Sequence, residues 1–417
     1  MTITKIKLSN FKSFKNLYVE LGKFNVFIGA NASGKSNFIQ IFKFLRDIKN
    51  HGLDNAISMQ GGVEYLRNIN LGQSEELSLE VTTDDLFMSF LPETNINERI
   101  RIDRYETIYK IIIKFKNDVA GYEMSDETIA QKCNFVKLVR NNSDEKNKFD
   151  EKEIHGKGEI LISRLNGKIN FNSTQPDEVK IKEEDILPPF LRNDRESKSL
   201  LLQYLYFISP FFSDFSIYDI DPKLPKKATP ITGKADLEED GSNLAIVLKN
   251  ILENEDNKRK LSNLVRDVLP FVEEMGVEKL ADRSLIFKLR EIYSENQYLP
   301  ASFLSDGTIY ITALIIALYF DSKPIIIIEE PERNIHPYLI SRLINMMKEV
   351  SEEKQIIITT HNPEVIKHAG LENIYLVSRN KEGFSTISKP SEKEEVKIFL
   401  ENEMGIEELY IQNLLEI

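Results

Sequence analysis

The chain has 417 residues, enough for two or more lobes with sizeable cores. Hydrophobic residues make up 41% and charged residues 29%, an ordinary globular composition. Sixty-six acidic against 54 basic residues give a formal charge of −12, which excludes a surface that is basic all over but leaves room for a local basic patch. Cys133 is the only cysteine, so no internal disulfide can form and a reducing, cytoplasmic compartment is expected. Residues 1–7 alternate polar and apolar side chains, unlike a signal peptide. The most apolar run, 309–320, is interrupted by Asp321-Ser322-Lys323-Pro324 and falls short of the ~20 residues of a membrane span. It is expected to be a helix buried in a protein core, and no membrane partner is expected.

In chain order, residues 3–8 and 17–21 read as strands. Phe24-Asn25-Val26-Phe27-Ile28 has the profile of a buried parallel strand ending at Gly29. Phe38, Ile41, Phe42 and Leu45 then recur at helical spacing. From about 77 to 171 the pattern is that of an antiparallel β region, with strands at 77–81, 108–115 and 160–162. Residues 141–157, rich in Asn, Asp, Glu and Lys, are expected to form an exposed loop, and 200–208 a buried element. Residues 219–234, with three prolines, read as a linker or surface loop. Helical patterns follow at 242–252 and 261–272. The last block alternates helix (309–320), strand (325–328), helix (337–350) and strand (356–360), then 374–377 and an acidic helical end.

Four segments carry chemistry. Gly29-Ala30-Asn31-Ala32-Ser33-Gly34-Lys35-Ser36 fits the phosphate-loop pattern between a strand and a helix. Its glycines let backbone amides wrap a phosphate chain, and the following helix adds its positive end. Gly29, Asn31, Ser33, Gly34, Lys35, Ser36 and Asn37 are the candidate ATP-binding residues, with Lys35 reaching the β- and γ-phosphates and Ser36 ligating Mg²⁺. Ile325-Ile326-Ile327-Ile328-Glu329-Glu330 is an apolar strand ending in two carboxylates. Glu329 is the candidate Mg²⁺ ligand, one methylene longer than the usual Asp, and Glu330 the group that polarises the attacking water. Thr359-Thr360-His361 ends another apolar strand, where an imidazole can hydrogen-bond the γ-phosphate or the water. Ser305 and Gly307, in Leu304-Ser305-Asp306-Gly307-Thr308, precede the apolar helix and form a second candidate anion site; a plain helix cap by Ser305 or Asp306 is the alternative. His336 is expected to shape a subunit contact, while His51, His155 and His368 have no such context.

Together these segments resemble those of ATP-binding-cassette ATPases in the soluble SMC, RecF and overcoming-lysogenization-defect branch, including small bacterial members of defence operons. Asn10-Phe11-Lys12-Ser13-Phe14, Glu329-Glu330-Pro331-Glu332, Ile335-His336-Pro337 and Asp240-Gly241-Ser242-Asn243-Leu244-Ala245 share in the likeness. The resemblance implies an α/β fold: a P-loop NTPase of the ABC-ATPase type with an antiparallel β/α insertion lobe and no long coiled coil. It divides the chain into an N-terminal head part (1–76), an insertion lobe with linker (77–235) and a C-terminal head part (236–417). It makes Glu330 and His361 catalytic and places Ser305–Gly307 as the signature that acts on the nucleotide of a second copy. The signature departs from Leu-Ser-Gly-Gly-Gln at Asp306, which sets an anion near the γ-phosphate unless its side chain points away. The Q-loop glutamine has two candidates, Gln60 and Gln203.

The expected activity is Mg-dependent ATP hydrolysis by a head-to-tail homodimer or higher homo-oligomer, acting as a switch for a separate effector (a nuclease or toxin) in anti-phage defence. The stretch after His361 is too short for the Toprim nuclease domain of the overcoming-lysogenization-defect proteins, so no nuclease activity is expected of these residues. The alternative is a RecF-like ATP-dependent DNA-binding protein in repair. Nucleic acid would then meet Lys5, Lys7, Lys12 and Lys15, unless these form the solvated side of an edge strand. An ATPase subunit of a transporter fits least.

Overall fold

A computed structural model describes residues 2–71, 75–84, 87–91, 98–116, 121–140, 149–165, 168–177, 179, 181–187, 189, 201, 215–401 and 404–416. In chain order the strands begin with β1 (Thr2–Phe11), β2 (Phe14–Glu20), β3 (Phe24–Ile28), β4 (Leu77–Asp84), β5 (Phe87–Phe90) and β6 (Glu98–Phe115). Next come β7 (Tyr122–Arg140), β8 (Phe149–Leu165), β9 (Lys168–Thr174), β10 (Phe215–Tyr218), β11 (Thr229–Pro230) and β12 (Val272–Lys279). The last are β13 (Ser284–Glu291), β14 (Leu299–Pro300), β15 (Ile325–Glu329), β16 (Gln355–Thr360), β17 (Ile374–Arg379) and β18 (Ser385–Ser388). Described residues within 1–22, 37–214 and 379–387 form one compact unit, and those within 23–36, 215–378 and 388–417 form another.

The first unit is built on an antiparallel sheet in the order β2-β1-β4-β6-β7-β8-β9, with β5 also on β6. Its centre is the long ribbon β6-β7-β8, in which Tyr109 faces Ile129 and Ile129 faces Ile162. Tyr109, Ile111 and Ile113 alternate into the core, the period-2 pattern of a half-buried strand. The buried Glu127 accepts the Tyr109 hydroxyl (3.1 Å) and the Leu201 amide (2.8 Å), as a buried carboxylate must to offset lost hydration. Buried Arg104 donates to Gln131 (2.9 Å) and Ser89 (2.6 Å). The expected loop at 141–157 is corrected in part: 149–157 belong to β8, where pairing with β7 overrides their polar composition. Residues 200–208, except Leu201, lie outside the described residues. The Lys35–His51 helix enters this unit from residue 37, burying Phe38, Ile41, Phe42 and Leu45 as their spacing predicts.

The second unit holds five parallel strands in the order β10-β15-β16-β3-β17. Ile325, Ile326, Ile327 and Ile328 are all fully buried, because a parallel strand covered on both faces reads as a continuous apolar run. The Asp306–Tyr319 helix is buried along its whole length from Thr308 to Leu318 and forms the centre of the core, as its all-round apolar sequence demands. The Pro337–Ser351 helix is amphipathic and buries Ile340, Leu343, Ile344 and Met347. A small antiparallel sheet, β11-β13-β12 with β14 on β13, was not legible in the helical reading of 261–272. That helix runs Glu255–Val268 and stops two residues before Pro270, whose ring disfavours helix at the preceding residue; Val272 opens β12. Among the described residues the longest helix has 17 residues, and none is long and apolar enough to cross a membrane.

Candidate functional site: a phosphate loop and an acidic strand end

The site lies at the carboxyl ends of adjacent parallel strands, where open α/β sheets bind ligands. Glu329 pairs with Thr359 across β15 and β16, and Thr360 pairs with Ile28 across β16 and β3. The Gly29 loop, Glu330 and His361 therefore emerge side by side.

After β3, the chain turns through Ala32 (φ 63°) and Gly34 (φ 119°), with the Ser33 amide between them donating to Ala30 O (3.2 Å). Gly29 and Ser33 are buried, while Asn31 and Ser36 are exposed. The Lys35 ammonium donates to the carbonyls of Gly29 (2.7 Å) and Ala30 (3.0 Å). Burial pushes its pKa down, against the opposing pull of Glu330 and Glu332, so these carboxylates act on the phosphate-loop lysine. The glycine-containing loop, its lysine and the nearby carboxylates match a nucleoside triphosphate with its cation. Ser36, in the first turn of the helix, and half-buried Glu329 are oxygen donors of the type Mg²⁺ takes.

Glu330 stands at φ 46°, an uncommon conformation for a non-glycine residue. Its backbone is clamped there: its amide donates to Thr359 O (2.9 Å), and its carbonyl accepts the Tyr310 hydroxyl (3.2 Å). Its carboxylate is engaged at both oxygens, by His361 Nδ1 at Oε1 (2.9 Å) and by Arg333 Nη2 at Oε2 (3.2 Å). Burial alone would raise the Glu330 pKa, but Arg333 and His361 outweigh it and hold the carboxyl below its ordinary value. Arg333 also donates to Asp219 (2.8 Å). Two positions along, Glu332 behaves oppositely. It is buried, accepts Thr360 Oγ1 at 2.5 Å, and has its Oε2 buried without a hydrogen-bond partner; burial pushes its pKa up.

Ser305 is the N-cap of the Asp306–Tyr319 helix and accepts from Thr308 N (3.1 Å), so the capping role is present. Gly307 lies so near the segment after β15 that an added Cβ would sit 2.8 Å from Asn334 O. Asp306 is turned to Lys226, whose Nζ lies 2.5 Å from its Oδ1.

The remaining expected residues are placed as follows. His336 caps the Pro337–Ser351 helix, its Nδ1 accepting from Tyr338 N. In the first unit, the Asn37 amide donates to Ser13 Oγ (2.8 Å). Gln60 is buried and lines a cleft with Lys12, Asn37 and Arg67; Gln203 lies outside the described residues. Two of the four N-terminal lysines are neutralised, Lys5 by Glu20 (3.4 Å) and Lys7 by Glu80 (3.0 Å), while Lys12 donates to Tyr65 O and Lys15 lies over the Phe384 ring.

Residues 1–366 match the profile of the family described as AAA ATPase domain. The chain belongs to that family. Two solved structures share its fold. The SMC head bound to the C-terminal winged-helix domain of ScpA is 16% identical, with a TM-score of 0.50 over 93% of this chain and 97% of that one. The SMC head with an extended coiled coil from Pyrococcus furiosus, bound to the C-terminal domain of ScpA, is 14% identical, with a TM-score of 0.50 over 96% and 99%. No curated protein sequence matches the chain. This family member is thus an AAA-type ATPase with the mixed α/β fold of SMC heads.

Arg333, Asp219, Tyr310 and Lys226 escaped the sequence reading. Arg333 had a local signal, a basic residue three positions after Glu330 in the turn that leaves β15. Asp219 and Lys226 had none, since both lie in the proline-rich stretch read as linker. That stretch is pinned by the Asp240–Ala245 segment. Asn243 donates to the carbonyls of Lys234 (3.1 Å) and Asp236 (2.8 Å), and Asp219 and Asp221 amides donate to Glu239 and Asp240 carbonyls. Gly241 takes φ 75° at the turn that permits this.

Proposed function

We propose that this ATPase is a nucleotide switch. ATP closes two copies head to tail, hydrolysis opens them, and a separate effector reads the difference. The observation that carries the reading is the convergence of the Gly29 loop, Glu330 and His361 at neighbouring strand ends. In this reading Lys35 leaves its two loop carbonyls for the β- and γ-phosphates, and loop amides bind the phosphate chain. Mg²⁺, held by Ser36 and Glu329, would supply charge neutralisation at the phosphates. Glu330 accepts the proton of the attacking water, and His361 holds Glu330 in place. Each Glu330 oxygen already accepts one hydrogen bond and keeps a second lone pair, so water can reach the carboxylate while His361 and Arg333 hold it. Ser305–Gly307 serves the nucleotide of the second copy.

The SMC heads named above are bound by a domain of a second protein, ScpA, which supports a separate partner for this chain. The likeness of its motifs to small defence-operon ATPases supports an anti-phage setting with a nuclease or toxin as effector. The RecF-like alternative gains nothing from Lys5 and Lys7, which are already neutralised.

The test is hydrolysis by the purified chain. Wild type should turn over ATP with Mg²⁺ and stop when the metal is chelated. Glu330→Gln should lower kcat by about 10²–10⁴-fold, the usual contribution of a general base, and should accumulate an ATP-bound dimer in light scattering. Absence of ATP binding by the wild type would overturn the reading.

A further inference from the structure

Asp306 stands where the resembled signature has glycine, and a carboxylate there should repel the phosphate that the turn is meant to receive. The structure answers the charge from an unexpected quarter. Lys226 Nζ is 2.5 Å from Asp306 Oδ1, and both side chains are partly shielded, at 24% and 36% exposure.

Lys226 is not a loose surface residue that happens to reach. Its loop is tied upstream where the Leu224 amide donates to Asp221 O and the Asp221 amide donates to Asp240 O. It is tied downstream where Thr229 and Pro230 pair with β13 and the Thr229 hydroxyl donates to Ser242 O (2.9 Å). Pro225, immediately before Lys226, is buried and lies against Gly241. The lysine is thus delivered to the signature turn by an anchored loop.

We propose that Lys226 is the charge-compensating residue of the signature: it draws the Asp306 carboxylate aside, so that the Ser305–Gly307 turn accepts the terminal phosphate of a nucleotide held by a second copy of this chain. This rests on the head-to-tail reading above. The pair makes a signature of net zero charge out of two residues far apart in sequence, in place of the uncharged glycine. Two consequences separate it from a salt bridge that merely steadies the fold. Removing the lysine should impair the ATP-driven dimer while sparing nucleotide binding by the single copy, whose phosphate loop is untouched. Removing the aspartate as well should cure the defect.

The experiment uses the full chain in the Glu330→Gln background, with ATP and Mg²⁺ titrated and dimer measured by sedimentation. Nucleotide binding by the monomer is followed in parallel with a fluorescent ATP analogue, and folding by thermal melting. Lys226→Ala should raise the ATP concentration at half-maximal dimer by roughly ten- to hundredfold, the scale of an unscreened like-charge contact at a protein surface. The near-isosteric Lys226→Gln should do the same, and Lys226→Arg should match the parent. Asp306→Gly with Lys226→Ala should return to within about threefold of the parent, a strong non-additivity. Parent-like dimerisation of both Lys226→Ala and Lys226→Gln overturns the proposal, as does a double variant as defective as Lys226→Ala. A parent that forms no dimer with ATP overturns the head-to-tail reading, and the proposal with it. A dimer insensitive to Lys226 overturns the proposal alone.

Discussion

Gly29→Ala tests whether the phosphate loop is shaped by its backbone or merely decorated with the right side chains. A Cβ built at Gly29 lies 2.2 Å from the carbonyl oxygen of Val377 and 2.8 Å from Ser33 Oγ. The first obstacle is backbone of β17, which cannot rotate away as a side chain can. Strand β17 is itself fixed to β3 through Ile374 with Val26, Tyr375 with Phe27 and Leu376 with Ile28, and the Phe27 and Tyr375 rings stack at 4.8 Å. Relief therefore requires the loop to move by more than an ångström, taking Ser33 with it. Overpacking of this kind costs about 1–3 kcal/mol, occasionally more. For a unit of 150–250 residues that lowers the melting temperature by about 2–12 °C. A loop displaced by that much no longer fits the phosphate chain, so affinity for a fluorescent ATP analogue should fall by at least tenfold, about 1.4 kcal/mol. Ala32→Gly is the matched control. Ala32 sits at φ 63°, so glycine there removes strain and should preserve binding. Wild-type melting and wild-type affinity in Gly29→Ala would refute the reasoning.

Other expectations concern charge and burial. Glu332→Gln should fold and retain most ATPase activity, in contrast with Glu330→Gln, because the amide keeps the side chain's shape and removes a charge that burial disfavours. The sign for stability follows. A carboxyl whose folded pKa is raised contributes stability that is full below its unfolded pKa and is lost as pH rises through the folded value. Denaturant midpoints of Glu332→Gln should therefore exceed wild type increasingly as pH rises above about 4.5, and a difference that shrinks with pH would contradict this. Cys133 is buried, donates weakly to Gln131 O, and has its thiol pushed up to about 11, burial being the main cause. It should resist iodoacetamide at pH 8 in the folded chain and react within minutes in denaturant, as mass spectrometry can show. Ile327→Ala, at a fully buried strand centre, should cost about 2–5 kcal/mol in urea unfolding without altering any site residue.

What the sequence disclosed, and what it hid, follows from how far apart the interacting residues lie. The phosphate loop was legible because its chemistry is local: strand, glycines, lysine and helix start all fall between Phe24 and Leu45. The apolar strand Ile325–Glu329 and the Asp306–Tyr319 helix were legible because continuous burial leaves a continuous apolar run. Strand β12 was missed because its burial is sparse. Only Val272 and Met275 are fully buried in it, so no period-2 pattern marks it, and its strand character comes from pairing with β13. The polar partners of the site were beyond reach for a different reason. Arg333 joins Glu330, three residues away, to Asp219, 114 residues away, and no local pattern announces the second contact. The same holds for Asp306. Taken in its own segment it is a defect in a phosphate-binding turn, but Lys226 arrives from a loop whose composition says only linker. A departure from a motif is therefore judged on the total charge that the fold assembles at that point. On that measure the Ser305–Gly307 turn, with Lys226 beside Asp306, carries no net charge, which is what the proposed meeting with a phosphate requires.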